Sequence, residues 1–227
     1  MEEKEVKYNG YLTAAFLIFV LAITAGATPV TTLTFQSHSS ATNTADDSIW
    51  VDKGDGSVLA IPANSAWYSM PGVPWISHWQ SGAHNAEYFQ VPNGTVQEFT
   101  QTFTLPAGFM VTSATLKLLA DDTASATLNG QLAVSPTDTN PAEHCVLGTP
   151  GCVSSTMFSG SLNPAWFQSG TNVLKITSFQ LFGDSNGIAS ELQVTGSQVP
   201  EPATYGTATL GLFLVGLIAR RQRNSRS

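Results

Sequence analysis

The chain has 227 residues and a formal net charge of −7. Between residues 28 and 198 twelve carboxylates stand against three lysines (Lys53, Lys117 and Lys175) and no arginine, a net of −9. A segment so poor in cations cannot neutralise phosphates, which excludes nucleic acid as a partner and disfavours acidic polysaccharides, leaving neutral sugars and divalent cations open.

The first predicted element is an apolar run, Leu12 to Ile23, of the length of a signal-peptide core. It precedes Ala25-Gly26-Ala27, an A-x-A cleavage pattern, so residues 1–27 read as a signal peptide cut after Ala27. Glu2, Glu3 and Glu5 offset Lys4 and Lys7 where a positive n-region is expected, and an uncleaved N-terminal anchor is therefore the alternative.

Residues 28–198 are long enough for one domain with a substantial core. Short alternating segments rich in Thr, Ser, Gly and Asn dominate, and helical periodicity is nearly absent, so the fold class expected is all-β, a single sandwich. The run "DDSIWVDKGDGS" carries Asp46, Asp47, Asp52 and Asp55 among glycines but lacks the D-x-D-x-D-G spacing of a calcium loop, and reads as a solvated turn. Next comes "AWYSMPGVPWISHWQSGAHNAEYF", with Trp67, Tyr68, Trp75, Trp79, Tyr88 and Phe89. Exposed aromatic faces in a row would stack on the apolar face of sugar rings; the alternative is that most of them fill the core.

"EFTQTFTLP" places Phe99, Phe103 and Leu105 on one strand face and ends at Pro106. In "TSATLKLLA", Ala114, Leu116, Leu118 and Ala120 share a buried face, and Leu119 breaks the alternation. Asp121 and Asp122 follow, then a hairpin around Asn129-Gly130. Asp121, Asp122 and Asn129 are the candidate oxygen ligands for a structural calcium ion, or else turn-holding side chains. Cys145 and Cys152, around a Pro-Gly turn, read as a disulfide in an oxidising compartment, with a metal site disfavoured by their spacing. "NPAWFQSG" is a short helix with Asn163 as cap and Pro164 in its first turn, and "TNVLKITSFQLF" and "IASELQV" supply the last strands.

No G-x-S-x-G, H-E-x-x-H, P-loop or G-x-G-x-x-G pattern is present, so no catalytic residue is assigned and the chain is not expected to be an enzyme. His78, His84 and Glu87 lie close in sequence at a spacing that matches no metal motif, and Asn93-Gly94-Thr95 reads as a turn.

The chain ends in Val199-Pro200-Glu201-Pro202, an uncharged run, and Arg220, Arg221, Arg223 and Arg226. Thr207 to Ala219 as a helix spans about 20 Å, short of the roughly 30 Å hydrocarbon core, so a membrane span must start near Ala203 and let Arg220 snorkel. The arginines favour the cytoplasmic side and put the domain outside. Together these three features resemble a PEP-CTERM sorting tail, over residues 199–227. The resemblance implies an exported protein of a Gram-negative, exopolysaccharide-producing bacterium, processed by an exosortase-type enzyme.

"FTQTFTLPAGFMVTSATLKLLADDTASATLNGQLAV" and "LNPAWFQSGTNVLKITSFQLF" resemble galactose-binding-like jelly-roll domains, from about Trp67 to Val194. That implies a jelly roll which in some members binds sugars and in others serves as a spacer. The expected organisation is a signal peptide (1–27), an extracytoplasmic β-sandwich (28–198) and a sorting tail (199–227) with a transmembrane helix at about 203–219. The expected function is non-catalytic binding of neutral exopolysaccharide at the cell surface or in its matrix; the alternatives are a polysaccharide hydrolase and a purely structural surface protein.

Overall fold

A computed structural model describes residues 29–38, 49–52, 58–136 and 149–198, together with Gly211, Leu212, Val215 and Gly216. Val30–Gln198 forms one compact unit, and the described residues outside it belong to a second. Ala25, Ala27, Cys145 and the sorting motif Val199, Pro200, Glu201, Pro202, Arg220, Arg221 and Arg223 lie outside the described residues. Of the expected 203–219 span only the four residues just named are described, all in helical conformation. Among the described residues no helix is long and apolar enough to cross a membrane.

The compact unit is built from antiparallel strands in two sheets: β1 (Val30–Gln36), β2 (Ile49–Asp52), β3 (Leu59–Ile61), β4 (Trp75–Ser77), β5 (Val96–Leu105), β6 (Phe109–Asp121), β7 (Thr123–Leu128), β8 (Gln131–Val134), β9 (Phe158–Leu162), β10 (Gly170–Phe179) and β11 (Gly187–Gln198). One sheet runs β3-β4-β11-β6-β9, with β1 also pairing β11; the other runs β2-β5-β10-β7-β8. The long strand β11 carries β6 along one side, while β4 pairs with it at Ile188 and β1 from Glu191 onward.

Alternation in the sequence sets which side chains meet. Phe99, Phe103 and Leu105 on β5 and Leu174 and Ile176 on β10 are buried from one sheet; Leu116 and Leu118 on β6 and Leu192 and Val194 on β11 are buried from the other. They form one apolar cluster drawn from both sheets. Each fully buried aliphatic or aromatic side chain removes enough apolar surface from water to contribute about 1.5–3 kcal/mol. Gln97 and Gln101 lie on the inward face of β5 and are buried too, so the polar-aromatic alternation of "VQEFTQTFTL" does not map simply onto out and in.

Leu119 is fully buried on the opposite face of its sheet from Leu118 and Ala120. Its cross-strand partner on β11 is Ala189. The two form the floor of a second apolar cluster with Ile61, Trp67, Met70, Val73, Trp75 and Cys152. The break in alternation at Leu119 thus marks a place where chain crosses the outside of the sheet. Two segments make that cover, and they are tied together and to β6: Tyr68 N–H donates to Cys152 O at 2.7 Å, and Ala120 N–H to Gly151 O at 3.0 Å. Cys152 is fully buried and carries no free thiol.

Elsewhere on the outside of this sheet a polar staple joins three strands. Glu191 accepts from Lys117 Nζ (2.9 Å), Gln36 Nε2 (2.9 Å) and Gln193 Nε2 (3.0 Å). Partial burial pushes the Glu191 carboxyl up, but the donors outweigh it and hold the group below the usual carboxylate range.

The hairpin at Asn129-Gly130 is present, with φ of 50° and 80°, the two positive angles that an Asn-Gly loop of this type requires. The helix expected at "NPAWFQSG" is instead a single 3-10 turn, Pro164–Trp166, capped as anticipated by Asn163, whose Oδ1 accepts from Ala165 N–H at 3.0 Å. Trp166 and Phe167 both pack against the main core.

Replacement of Leu119 by Ala should cost about 2–4 kcal/mol, as for an ordinary core leucine. Thr115→Ala, two pleats away on the same outward face but only partly buried, should change stability by less than about 0.5 kcal/mol. Urea denaturation of the two variants checks this; equal, small losses would mean that the second cluster is not packed.

Candidate functional site

The chain from residue 62 to residue 91 carries most of the aromatic side chains singled out above, and it splits them between two environments. Trp67 and Trp75 are 6% and 2% exposed, with ring centroids 4.2 Å apart in a stacked pair inside the second cluster. Trp75 Nε1 donates to Tyr68 O at 3.1 Å, and Trp67 Nε1 donates to Asp121 Oδ2 at 2.7 Å. Their faces are therefore turned to protein, and neither is offered to a ligand. The reason is local: Trp75 lies on β4, one residue before the fully buried Ile76, and Trp67 caps Leu119 and Ala189.

Beyond β4 the chain leaves the sheet and forms a surface loop, residues 78–91. A buried set of amide and hydroxyl side chains anchors it. Ser77 Oγ donates to Gln97 Oε1 (3.1 Å), Gln97 Nε2 to Asn186 Oδ1 (2.6 Å), Ser81 Oγ to Asn186 O (2.6 Å), and Asn186 Nδ2 to Asp121 O (2.6 Å). Gly82 passes so close to the Pro62 carbonyl that a Cβ has no room, and the next residue's N–H donates to that same oxygen at 2.9 Å. Further along, Phe89 N–H donates to Gln80 O (2.8 Å) and Val91 N–H to Asp184 O (2.9 Å), which fixes the returning limb beside the β10–β11 connection.

On this anchored loop the remaining aromatics form two pairs. Trp79, half-buried, and Phe89, 44% exposed, have ring centroids 5.2 Å apart. His84 stacks on Tyr88 at 4.1 Å. Tyr88 donates its hydroxyl proton to Asp184 Oδ1, and His84 Nε2 lies 3.1 Å from that same oxygen and 3.2 Å from Ser185 Oγ. Burial first, and then the hydrogen bond to Asp184, push the Tyr88 phenol up to about 12. Tyr68, 40% exposed, lies apart from this loop, next to the covering segment at Cys152.

Asp121 and Asp122 are 4% and 1% exposed. Among the described residues no lysine, arginine or histidine pairs with either. Burial, and then the adjacent Asp122 charge and hydrogen bond, hold the Asp121 carboxyl well above the usual carboxylate range. Asp122 Oδ2 accepts from Leu181 N–H at 2.7 Å. Asn129 is not brought to this pair. It sits at the other end of β7, its Nδ2 donating to Trp166 O and Asn172 Oδ1 (2.8 Å each) while its Oδ1 accepts from Val173 N–H (2.8 Å). Among the described residues no group of three or more His, Cys, Asp or Glu side chains is placed to hold a metal ion.

Asp184 was not singled out by sequence, although it joins Tyr88, His84 and Val91 about a hundred residues away. Its only local sign is its place in "GDSNG", a glycine-flanked polar loop between two strands. His84 and Phe89 were visible as residue types but not as ring partners.

No protein-family model and no curated protein matches the chain. Among solved structures it is similar to a family 35 carbohydrate-binding module from Clostridium thermocellum, at 15% identity and a TM-score of 0.32, over 71% of this chain and 97% of that one. A likeness at that level bears on neither ligand nor site.

A raised Asp121 pKa means that the native state binds a proton the unfolded chain releases above a pH of about 3.9. Asp121 therefore stabilises the fold at low pH, and its contribution is lost as pH rises from that value through the raised native one. Asp121→Asn keeps an acceptor for Trp67 and removes the titration, so its stability relative to wild type should increase from pH 4 to pH 7. Urea midpoints at several pH values test this; a constant difference across that range would contradict a raised Asp121 pKa.

Proposed function

We propose that the chain is an exported surface protein whose β-sandwich, a jelly roll of the galactose-binding-like kind, binds neutral carbohydrate without catalysis through the loop 78–91. The observation that carries this reading is the pair of half-buried Trp79 and exposed Phe89 on a loop whose anchoring side chains are buried and hydrogen-bonded. A sugar ring presents C–H groups on one face and hydroxyls around its edge. An aromatic surface takes the first, and the exposed His84 and Gln90 with the partly buried Tyr88 and Asp184 offer polar groups to the second. Binding a rigid loop also avoids most of the ordering cost that weakens association.

The hydrolase reading is disfavoured by the geometry of the Ser185/His84/Asp184 grouping found among the described residues. In a triad the two ring nitrogens of histidine divide the work, one facing the carboxylate and the other the nucleophile. Here Asp184 and Ser185 approach the same nitrogen of His84, and Ser185 Oγ already donates to Gly82 O at 2.9 Å and accepts from Asn64 Nδ2 at 2.9 Å. No base is left to activate it.

Export rests on the sequence of the two ends: the apolar run ending in Ala25-Gly26-Ala27, and the tail of Val199-Pro200-Glu201-Pro202, apolar span and arginines. In this reading an exosortase-type enzyme processes the tail at the membrane, and the product stays anchored or passes into the exopolysaccharide matrix. The pairing of Cys145 with Cys152 belongs to the same reading, since an oxidising compartment would form it, and the buried Cys152 with no free thiol supports it.

Two outcomes are expected. On a glycan array or by calorimetry, Trp79→Ala and Phe89→Ala should each weaken binding of neutral glucan or galactan oligomers at least tenfold with little loss of stability; a wild-type protein that binds no glycan ends the carbohydrate reading. Fractionation of expressing cells with mass spectrometry of both termini should find a new N-terminus after Ala27 and a chain trimmed near Pro202. Recovery of the untrimmed chain from the cytosol would end the export reading.

A further inference from the structure

Electrostatics around the loop point to one class of sugar, an inference that rests on the carbohydrate reading above. Asp184 is 43% exposed in its side chain and uses Oδ1 for both Tyr88 and His84. Among the described residues its Oδ2 has no partner. Glu87, on the same loop, is exposed. The lysines that are described are committed elsewhere, Lys117 to Glu191 at 2.9 Å and Lys175 to Glu98 at 2.6 Å. Tyr88, next in sequence to Phe89, donates to this carboxylate, and among the described residues no lysine or arginine pairs with it.

We propose that this site selects hexosamine residues bearing a free, protonated amine over their N-acetylated or plain hexose counterparts. The ring would stack on the Trp79–Phe89 pair while its ammonium group reaches Asp184 Oδ2. Two effects favour the cation over a neutral group: a charge-assisted hydrogen bond to a carboxylate, and the attraction of an ammonium for aromatic faces. Both are moderated because the carboxylate is partly exposed, which sets the expected preference at about five- to tenfold rather than several hundredfold. The same field works against uronic acids, whose carboxylate would face Asp184 and Glu87 across the site.

Bulk attraction between an acidic domain and any polycation is the effect to separate from this. The experiment is calorimetry on the full chain with glucosamine tetramer, N-acetylglucosamine tetramer, glucose tetramer and tetralysine, at low and high salt and at a pH where the amine is protonated. The glucosamine tetramer should bind about five- to tenfold more tightly than its acetylated counterpart, with the ratio falling toward one in 1 M salt as the charges are screened. Asp184→Asn should collapse that ratio at low salt. Equal affinity for the amine and acetylated tetramers overturns the inference and leaves the carbohydrate reading standing. Displacement of the sugar by tetralysine as effective as by glucosamine tetramer also overturns it, since charge alone would then account for the preference. Failure of all three sugars to bind removes the carbohydrate reading itself.

Discussion

The hydrogen bond from Trp67 to Asp121 links the parts of this protein that matter for its surface. It is 2.7 Å long and closed off from solvent. An indole N–H buried without an acceptor costs about 1–3 kcal/mol, and a lone carboxylate in an apolar setting shifts its pKa upward until it holds a proton. The domain has almost no cations to offer as partners, and the described lysines are engaged at other positions. Burial and the neighbouring Asp122 raise the Asp121 carboxyl well above the usual carboxylate range, and it accepts from Trp67 as part of a polar set that includes Asn186 and Gln97. Through that set the acidic pair, the second apolar cluster and the base of the loop 78–91 share one network of contacts. A composition chosen by avoiding lysine and arginine thus shapes the interior as well as the surface.

The strands were legible because their signal is short-range. Period-two alternation placed Phe99, Phe103, Leu116 and Leu118 inside, and Asn129-Gly130 announced its hairpin through backbone preference alone. Leu119 was visible as an exception, and the structure supplies its cause: loops distant in sequence cover the outer face of the sheet there. The division of the aromatic stretch was not legible, because exposure of a tryptophan depends on which distant segment crosses it. Trp67 and Trp79 look alike in sequence and differ only in having, or lacking, Leu119 and Ala189 beneath them. Asn129 was grouped with Asp121 and Asp122 because they lie within eight positions, yet the intervening strand Thr123–Leu128 carries it about 20 Å away. Asp184 was missed for the converse reason, since its contacts are made across nearly a hundred residues.

What the loop can do chemically follows from this arrangement. Buried hydrogen bonds hold its base, so aromatic faces are presented without a large ordering cost, and the loop carries exposed Glu87 and contacts partly exposed Asp184. In the proposed reading such a surface suits uncharged or amine-bearing sugars better than anionic ones. It also fits a protein displayed outside the cell, where the proposed signal peptide and sorting tail would place it.

The central claim is that one aromatic stretch is split, Trp67 and Trp75 inward and Trp79 with Phe89 outward. Hydroxyl-radical footprinting read by mass spectrometry tests it residue by residue. Trp79 and Phe89 should be oxidised many times faster than Trp67 and Trp75, which should react only on unfolding. Comparable oxidation of all four in the native protein would contradict the split and remove the basis for the site.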